Sequence, residues 1–293
     1  MTYPDFVVIG AAKAGTTSLC SDLSRHPGIF ICDPKEPEYF CRDENYAQGD
    51  EWYAALFADS SHGQLCGEGS TMYSNCTEFP LGMLRMQSLI PDAKIVYMVR
   101  EPVARAYSHW LQIIKNQDNF GGNLGVSRDF DLAIQESHSI VSIGDYQMQV
   151  EHVLNYYPRE SIHVIVFEEY VSDRLSVISR LCDFLGVESD ALCQVGAVWE
   201  NKSESHFRTR AMCDLADKMK RVGAVRAGRK VFPKKVRAAV LDHAVALSGW
   251  RRHVPPAMSG EARADLIQRY SHVRPWLEGF LGRALAAWDE AEG

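Results

Sequence analysis

Residues 10–18 read GAAKAGTTS, which places Lys13 between Gly10 and Gly15 and follows it with Thr16, Thr17 and Ser18. Glycines let a backbone turn its N–H groups towards one point, and a helix N-terminus adds positive potential, so this spacing makes an anion cradle. A nucleoside triphosphate loop has the form G-x-x-x-x-G-K-[ST], with its lysine after the second glycine. Here Lys13 comes first, and Thr16 stands where that lysine would be. Transfer of a γ-phosphoryl group also calls for Mg²⁺ and an acidic residue to hold it. The next strong strand ends instead in Arg100 and Glu101. A sulfuryl group carries one negative charge, and a single lysine can stabilise the departing phosphate without a metal. The loop therefore favours sulfuryl over phosphoryl transfer, and no metal is expected.

The elements around the loop decide whether it is placed to act. Phe6 to Ile9 is a β-branched apolar run that stops at Gly10, and the segment from Thr16 predicts a helix ending near His26-Pro27-Gly28. A second strand is predicted over residues 95–99, and Pro102 suits the first turn of the helix after it. A third is predicted over 162–167, between helices over 146–157 and 175–185, the latter closed by Gly186. Strands alternating with helices predict a parallel α/β sheet with right-handed crossovers. Ligands of such sheets bind beyond the carboxyl ends of the strands. Arg100 lies there, and Ser108 lies two turns into the following helix. A guanidinium fork and a hydroxyl make a second candidate phosphate site. Residues 116–128, rich in Gly and Asn, predict a loop, from which Asn116, Asn119 and Asn123 are placed to hydrogen-bond an acceptor. About the last ninety residues read as helical, with Trp250, Trp276 and Trp288 as packing anchors. No repeat or linker divides the 293 residues, so one domain is expected.

The formal net charge of −7 argues against a surface built to grip nucleic acid. The charge is uneven, because residues 202–237 hold twelve Lys/Arg against three acids, or +9, leaving −16 for the rest. That segment reads either as a solvated face or as a surface beside a polyanionic ligand. Eight cysteines form no C-x-x-C pair, which gives no support to a zinc or thioredoxin-like site. The first residues, MTYPDFVVIG, carry no basic and apolar leader, and no later stretch approaches the ~18 apolar residues of a membrane span. A cytoplasmic protein with reduced thiols is the expectation.

The two anion motifs together carry a resemblance. The stretch PDFVVIGAAKAGTTS (4–18) resembles the 5′-phosphosulfate loop of sulfotransferases that use 3′-phosphoadenosine 5′-phosphosulfate, and KIVYMVREPVARAYSHW (94–110) resembles their 3′-phosphate motif. KEPEYF (35–40), GEGSTMY (67–73) and GDY (144–146) match further pieces, in order, up to about residue 210. The chain is most similar in flavour to the heparan sulfate N- and 3-O-sulfotransferase group and its bacterial relatives. The resemblance implies a P-loop-type parallel sheet flanked by helices, as one domain with its core over 4–210 and a helical extension over 211–293.

It also implies roles. Lys13 bridges the sulfuryl group and the leaving phosphate; Ala14, Gly15, Thr16, Thr17 and Ser18 bind the 5′-phosphate; Arg100 and Ser108 bind the 3′-phosphate. Glu36 matches the general base, with Glu38 as the neighbouring alternative and His109 as a third. Two departures stand out. Relatives often carry a lysine where this chain has Gly69, so a second cation is lost or comes from elsewhere. Near 201–210 a K-T-K-G-F-like closing loop is replaced by NKSESHFRTR, in which Arg208, or Lys202, is the candidate for closing over the cofactor. The implied acceptor is a small molecule or glycan. A Mg²⁺-dependent small-molecule kinase and a non-catalytic nucleotide-binding module are the rival readings.

Overall fold

The computed structural model describes residues 1–120, 125–189 and 257–289. Arg208, Lys202 and Trp250 lie outside the described residues. The chain runs β1 (Phe6–Gly10), α1 (Thr16–Leu23), β2 (Ile29–Ile31), α2 (Asp43–Tyr46), α3 (Asp50–Ala55), β3 (Leu65–Glu68), α4 (Gly82–Leu89), β4 (Lys94–Val99) and α5 (Pro102–Phe120). It continues through α6 (Phe130–Glu136), α7 (His138–Ser142), α8 (Tyr146–Leu154), β5 (Ile162–Val166), α9 (Phe167–Ser172) and α10 (Arg174–Leu185), and then α11 (Gly260–Arg269) and α12 (Val273–Leu281).

The sheet has five strands in the order β2-β3-β1-β4-β5, with every neighbouring pair parallel. Phe6, Val7, Val8 and Ile9 are all buried, as are Ile95 to Val99, because the central strands are covered on both faces. Parallel pairing puts all the carboxyl ends on one side. Gly10, Gly69, Arg100 and Phe167 therefore leave their strands along the same edge.

β1, β4 and β5 lie where the apolar runs put them, and Pro102 opens α5. β2 and β3 have no such signature. β3 reads LCGE, with a glycine inside and a carboxylate at its end. Gly67 has a packing reason, since a Cβ there would lie 2.2 Å from Cζ of Phe6 on the paired strand. The segment expected as a loop from 116 is partly helix, because α5 runs on to Phe120. Burial of Trp110, Ile114 and Gln117 on its inner face outweighs the weak helix preference of asparagine. The chain returns against the same helix, with Trp110 Nε1 donating to Ser127 O at 2.9 Å and Gln117 Nε2 to Val126 O at 3.0 Å.

The described C-terminal part is helical and packs onto the core. Trp288 is buried, and its Nε1 donates to Glu168 Oε2 at 2.9 Å. Trp276 stacks on Phe280 with ring centroids 5.2 Å apart.

Because the Phe6 ring occupies the space over Gly67, Gly67→Ala should overpack the β1–β3 seam. The expected loss is about 1–3 kcal/mol of unfolding free energy, read as a lower urea midpoint at unchanged slope.

Candidate active site

The glycine loop leaves β1 under tight steric control. A Cβ on Gly10, which has φ 147°, would sit 2.4 Å from Ser74 Oγ and 3.1 Å from Thr71 O, so the 71–74 segment lies directly over the loop entrance. Ala11 N donates to Met98 O at 2.6 Å and ties the loop to β4. Gly15 caps α1 with φ 99°, and a Cβ there would lie 2.7 Å from the Phe167 ring. The N-cap residue of α1 is Gly15, which has no side chain to cap the helix, so the first turn from Thr16 opens towards the loop with its backbone N–H groups. Ala14, Thr16 and Ser18 are buried, which leaves the backbone rather than their side chains to define the cradle.

Lys13 takes a left-handed backbone, φ 71°, that an L-residue adopts at a cost of about 1–2 kcal/mol. Its half-buried ammonium donates to Gln112 Oε1 at 3.2 Å. Burial lowers its pKa, and the positive charges of Arg100 and Lys115 lower it further. Arg100 reaches the same loop from the end of β4, its Nη1 donating to Lys13 O at 3.4 Å. The guanidinium stacks 4.9 Å from the Phe167 ring centroid, and burial pulls its pKa down as well. Tyr146 clasps the Arg100 backbone, accepting from its N–H at 3.1 Å and donating to its carbonyl at 2.7 Å. Among the described residues, Lys13, Arg100 and Lys115 form no ion pair. Lys13 with Arg100 and Lys115 beside it concentrates positive potential at the loop, with Glu168 and Glu101 as the negative groups acting on Arg100.

The inner face of α5 completes this half. Glu101 caps the helix, accepting from Val103 N at 2.8 Å and Ala104 N at 2.6 Å, so its carboxylate serves the helix start. Arg105 is fully buried, its guanidinium donating to Ala12 O at 3.4 Å and to Ile140 O. Ser108, also buried, follows on that face, and Gln112 comes a turn later, accepting from Lys13 and donating to Asn116 Oδ1 at 2.8 Å. The side chains of Asn119 and Asn123 lie outside the described residues. His109 Nδ1 is buried without a partner, and burial, Arg105 and Lys13 push the imidazole down to about 3. A nitrogen that holds its proton so weakly is a poor general base near neutral pH.

The two glutamates of the KEPEYF turn point differently. Glu38 is engaged by Arg42 Nε, while Glu36 Oε2 accepts from Thr71 Oγ1 at 3.2 Å. Thr71 also has its carbonyl at the loop entrance, so Glu36 lies one residue's width from Gly10. The 68–71 strip pins this turn, with Gly69 N donating to Lys35 O at 2.9 Å and Glu38 N to Ser70 Oγ at 3.0 Å. Beneath it Glu68 is wholly buried and accepts from Tyr53 at 2.6 Å, Tyr73 at 2.9 Å and Ser70 at 2.5 Å. Burial pushes its carboxyl up to about 7 against those hydroxyls.

Fold and site together define a nucleotide-loop α/β protein with an anion cradle and a carboxylate beside it. The model of the sulfotransferase domain matches residues 3–265, and the chain belongs to that family. Human heparan sulfate glucosamine 3-O-sulfotransferase 6 is 29% identical over 187 residues, covering 64% of this chain and 53% of the relative. Human heparan sulfate glucosamine 3-O-sulfotransferase 3B1 is 30% identical over 188 residues, covering 63% and 46%. The chain thus spans about half the length of the curated relatives it matches. A sulfotransferase from Alicyclobacillus acidocaldarius shares the fold with a TM-score of 0.65 at 24% identity, covering 99% of this chain and all of that one.

Sequence reasoning did not single out Arg105, Gln112, Phe167 or Glu68. Helical spacing from Ser108 would have found Arg105 and Gln112, three residues before it and four after. Phe167 carries no signal beyond its place just past β5. Glu68 was visible as a carboxylate ending an apolar strand, a position that demands partners.

The burial of Glu68 gives stability a definite pH dependence. The folded chain holds this proton up to about pH 7 and the unfolded chain only to the ordinary 4.5. The contribution is therefore full below 4.5 and lost as pH rises through 7. Melting curves from pH 4.5 to 8 should show the native protein losing up to about 3 kcal/mol relative to Glu68→Gln, which has no such proton. Parallel curves for the two proteins would refute this assignment of the carboxyl.

Proposed function

We propose that the protein transfers a sulfuryl group from 3′-phosphoadenosine 5′-phosphosulfate to a hydroxyl or amine of a carbohydrate-like or other small acceptor. The observation that carries this reading is the meeting of Lys13 and Arg100. Two cations from separate motifs share one loop and have no carboxylate partner among the described residues. A donor with phosphate at both ends of an adenosine meets that need at two points.

The residues divide the work accordingly. Backbone N–H groups from Gly15 to Ser18 take the 5′-phosphate, with Ala14, whose N–H closes the loop onto Ala11 O at 3.1 Å, lining the same turn, and Arg100 with the Ser108 hydroxyl takes the 3′-phosphate. Glu36 accepts the proton of the acceptor as its oxygen or nitrogen bonds to sulfur. The sulfur–oxygen bond to the phosphate breaks, and the electron pair leaves on that oxygen, where Lys13 and the loop amides stabilise it. No metal is needed in this scheme. The products are the sulfated acceptor and adenosine 3′,5′-bisphosphate.

The names of the relatives, which specify a glucosamine 3-O position of heparan sulfate, favour a glycan hydroxyl as the acceptor class. Arg208 closes over the cofactor in this scheme. The chain acts as one domain, with its core over 4–210 and 211–293 as the extension. No described helix is long and apolar enough to cross a membrane. A cytoplasmic setting, where thiols stay reduced, goes with this reading, and five of the six described cysteines are buried.

Labelled phosphosulfate with heparan sulfate as first acceptor tests the reading. The native protein should transfer label in the presence of EDTA and bind adenosine 3′,5′-bisphosphate at least tenfold more tightly than AMP by calorimetry. Lys13→Ala should keep its melting temperature and lose at least 100-fold in turnover. Equal affinity for the two nucleotides would remove the Arg100 pocket and the enzyme class with it.

A further inference from the structure

We propose that Lys35 is a second catalytic cation of this site, its ammonium lodged in the space left free at Gly69 and contacting the sulfuryl oxygens during transfer. The inference rests on the sulfuryl-transfer reading and adds a residue to it. Lys35 Nζ lies 2.6 Å from Glu36 Oε1, and no other ion pair joins Lys35 to a described residue. The direct partner of this ammonium is thus the candidate base, and the buried Glu68 carboxyl feels the same charge from beneath. The Lys35 backbone is fixed, because Gly69 N donates to its carbonyl at 2.9 Å.

Gly69 carries the steric half of the argument. Its φ is not among the positive ones, so an L-residue would fit the backbone there. What it would meet is side chain: a Cβ would lie 3.1 Å from Lys35 Cε, 3.3 Å from Lys35 Nζ and 2.7 Å from Cys20 Sγ. The glycine therefore reserves room for the ammonium, and Cys20, one turn into α1, closes the far side. That wedge places the charge between the helix that follows the phosphate loop and the turn that carries Glu36. Thr71 ties the same carboxylate to the loop entrance at Gly10.

The charge balance suits this placement. As the acceptor oxygen bonds to sulfur, its proton passes to Glu36, and the pair from the broken sulfur–oxygen bond leaves on the phosphate beside Lys13. Glu36 loses its negative charge in that step. The Lys35 ammonium, no longer matched by it, faces the anionic sulfate ester being formed and keeps its own proton throughout. Lys13 thus serves the leaving side and Lys35 the entering side.

The test uses the full chain with phosphosulfate and heparan sulfate, following release of adenosine 3′,5′-bisphosphate, with calorimetric binding of that product as the second readout. Lys35→Met keeps the aliphatic stem and removes the charge. It should lower kcat about 100-fold while the affinity for adenosine 3′,5′-bisphosphate, which has no sulfuryl group, changes less than twofold. Lys35→Arg should recover at least tenfold of that loss. Gly69→Ala, whose Cβ would press on Cys20 Sγ and on Lys35 Cε and Nζ without altering any charge, should lower kcat about tenfold at unchanged affinity for the bisphosphate, and it keeps the proposal testable if Lys35→Met fails to fold. Turnover of Lys35→Met within twofold of native, beside an inactive Lys13→Ala, would overturn the role of Lys35 alone. An equal fall in kcat and product affinity would make Lys35 a structural residue and also overturn it. A native protein that neither turns over phosphosulfate nor prefers the bisphosphate to AMP would sink the underlying reading and this one with it.

Discussion

Clustered positive charge with no ion-paired carboxylate among the described residues, Glu168 and Glu101 being the negative groups that act on Arg100, is the condition around which this site is arranged. Arg100 and Lys115 each repel Lys13 in a half-buried setting, and burial lowers the pKa of both Lys13 and Arg100. In water these side chains would separate. Here the backbone of Arg100 is gripped twice by Tyr146, its guanidinium is stacked on Phe167, and the lysine amine is turned towards Gln112. Each clamp is neutral. A carboxylate clamp would have relieved the repulsion and weakened the attraction for an anionic ligand, so neutral hydrogen-bonding and aromatic partners keep the site electrostatically ready.

The carboxylates are segregated for the same reason. Glu101 is committed to the start of α5, and Glu168 to the Glu101 N–H and the Trp288 indole. Glu68, the most buried, is enclosed by three hydroxyls beneath the base turn. Ser70 joins it to the Glu38 backbone, so a network deep in the core sets the position of a surface turn. Such networks are costly when partly satisfied and rigid when complete. Trp288 extends the dependence to the C-terminal part, which supports the Glu168–Glu101 corner from behind.

What was legible in the sequence follows the strength of each physical signal. β1, β4 and β5 are buried on both faces and therefore read as unbroken apolar runs. Their carboxyl ends then located the glycine loop and Arg100 without further help. β2 and β3, of three and four residues, sit at one side of the sheet and are specified by pairing rather than by their own pattern. The continuation of α5 to Phe120 was obscured because Asn and Asp weaken local helix preference, while the decisive burial of Trp110 and Ile114 is tertiary. Phe167 could not be foreseen, because an aromatic platform under a guanidinium is a relation between two strand ends. The choice between Glu36 and Glu38 was open in the sequence for a similar reason. Two residues apart on one turn, each faces a cation, Lys35 for Glu36 and Arg42 for Glu38, and they differ in that Glu36 also accepts from Thr71 at the loop entrance.

This contrast says where specificity resides. The donor side is built from backbone N–H groups and strand termini, features that a short motif can encode and that tolerate little change, as the crowded Cβ positions of Gly10 and Gly15 show. The base side is built from side chains on turns held by hydroxyls, where one glycine decides which residue can occupy the space beside it. Gly69 is the clearest case. By lacking a side chain it lets the Lys35 ammonium from the preceding turn approach. Among the described residues the two halves meet where Thr71 and Ser74 crowd Gly10, where Cys20 faces Gly69, and where the Gln112 amide links Lys13 to Asn116, so the glycine loop and the base turn are held by different kinds of contact and can change separately.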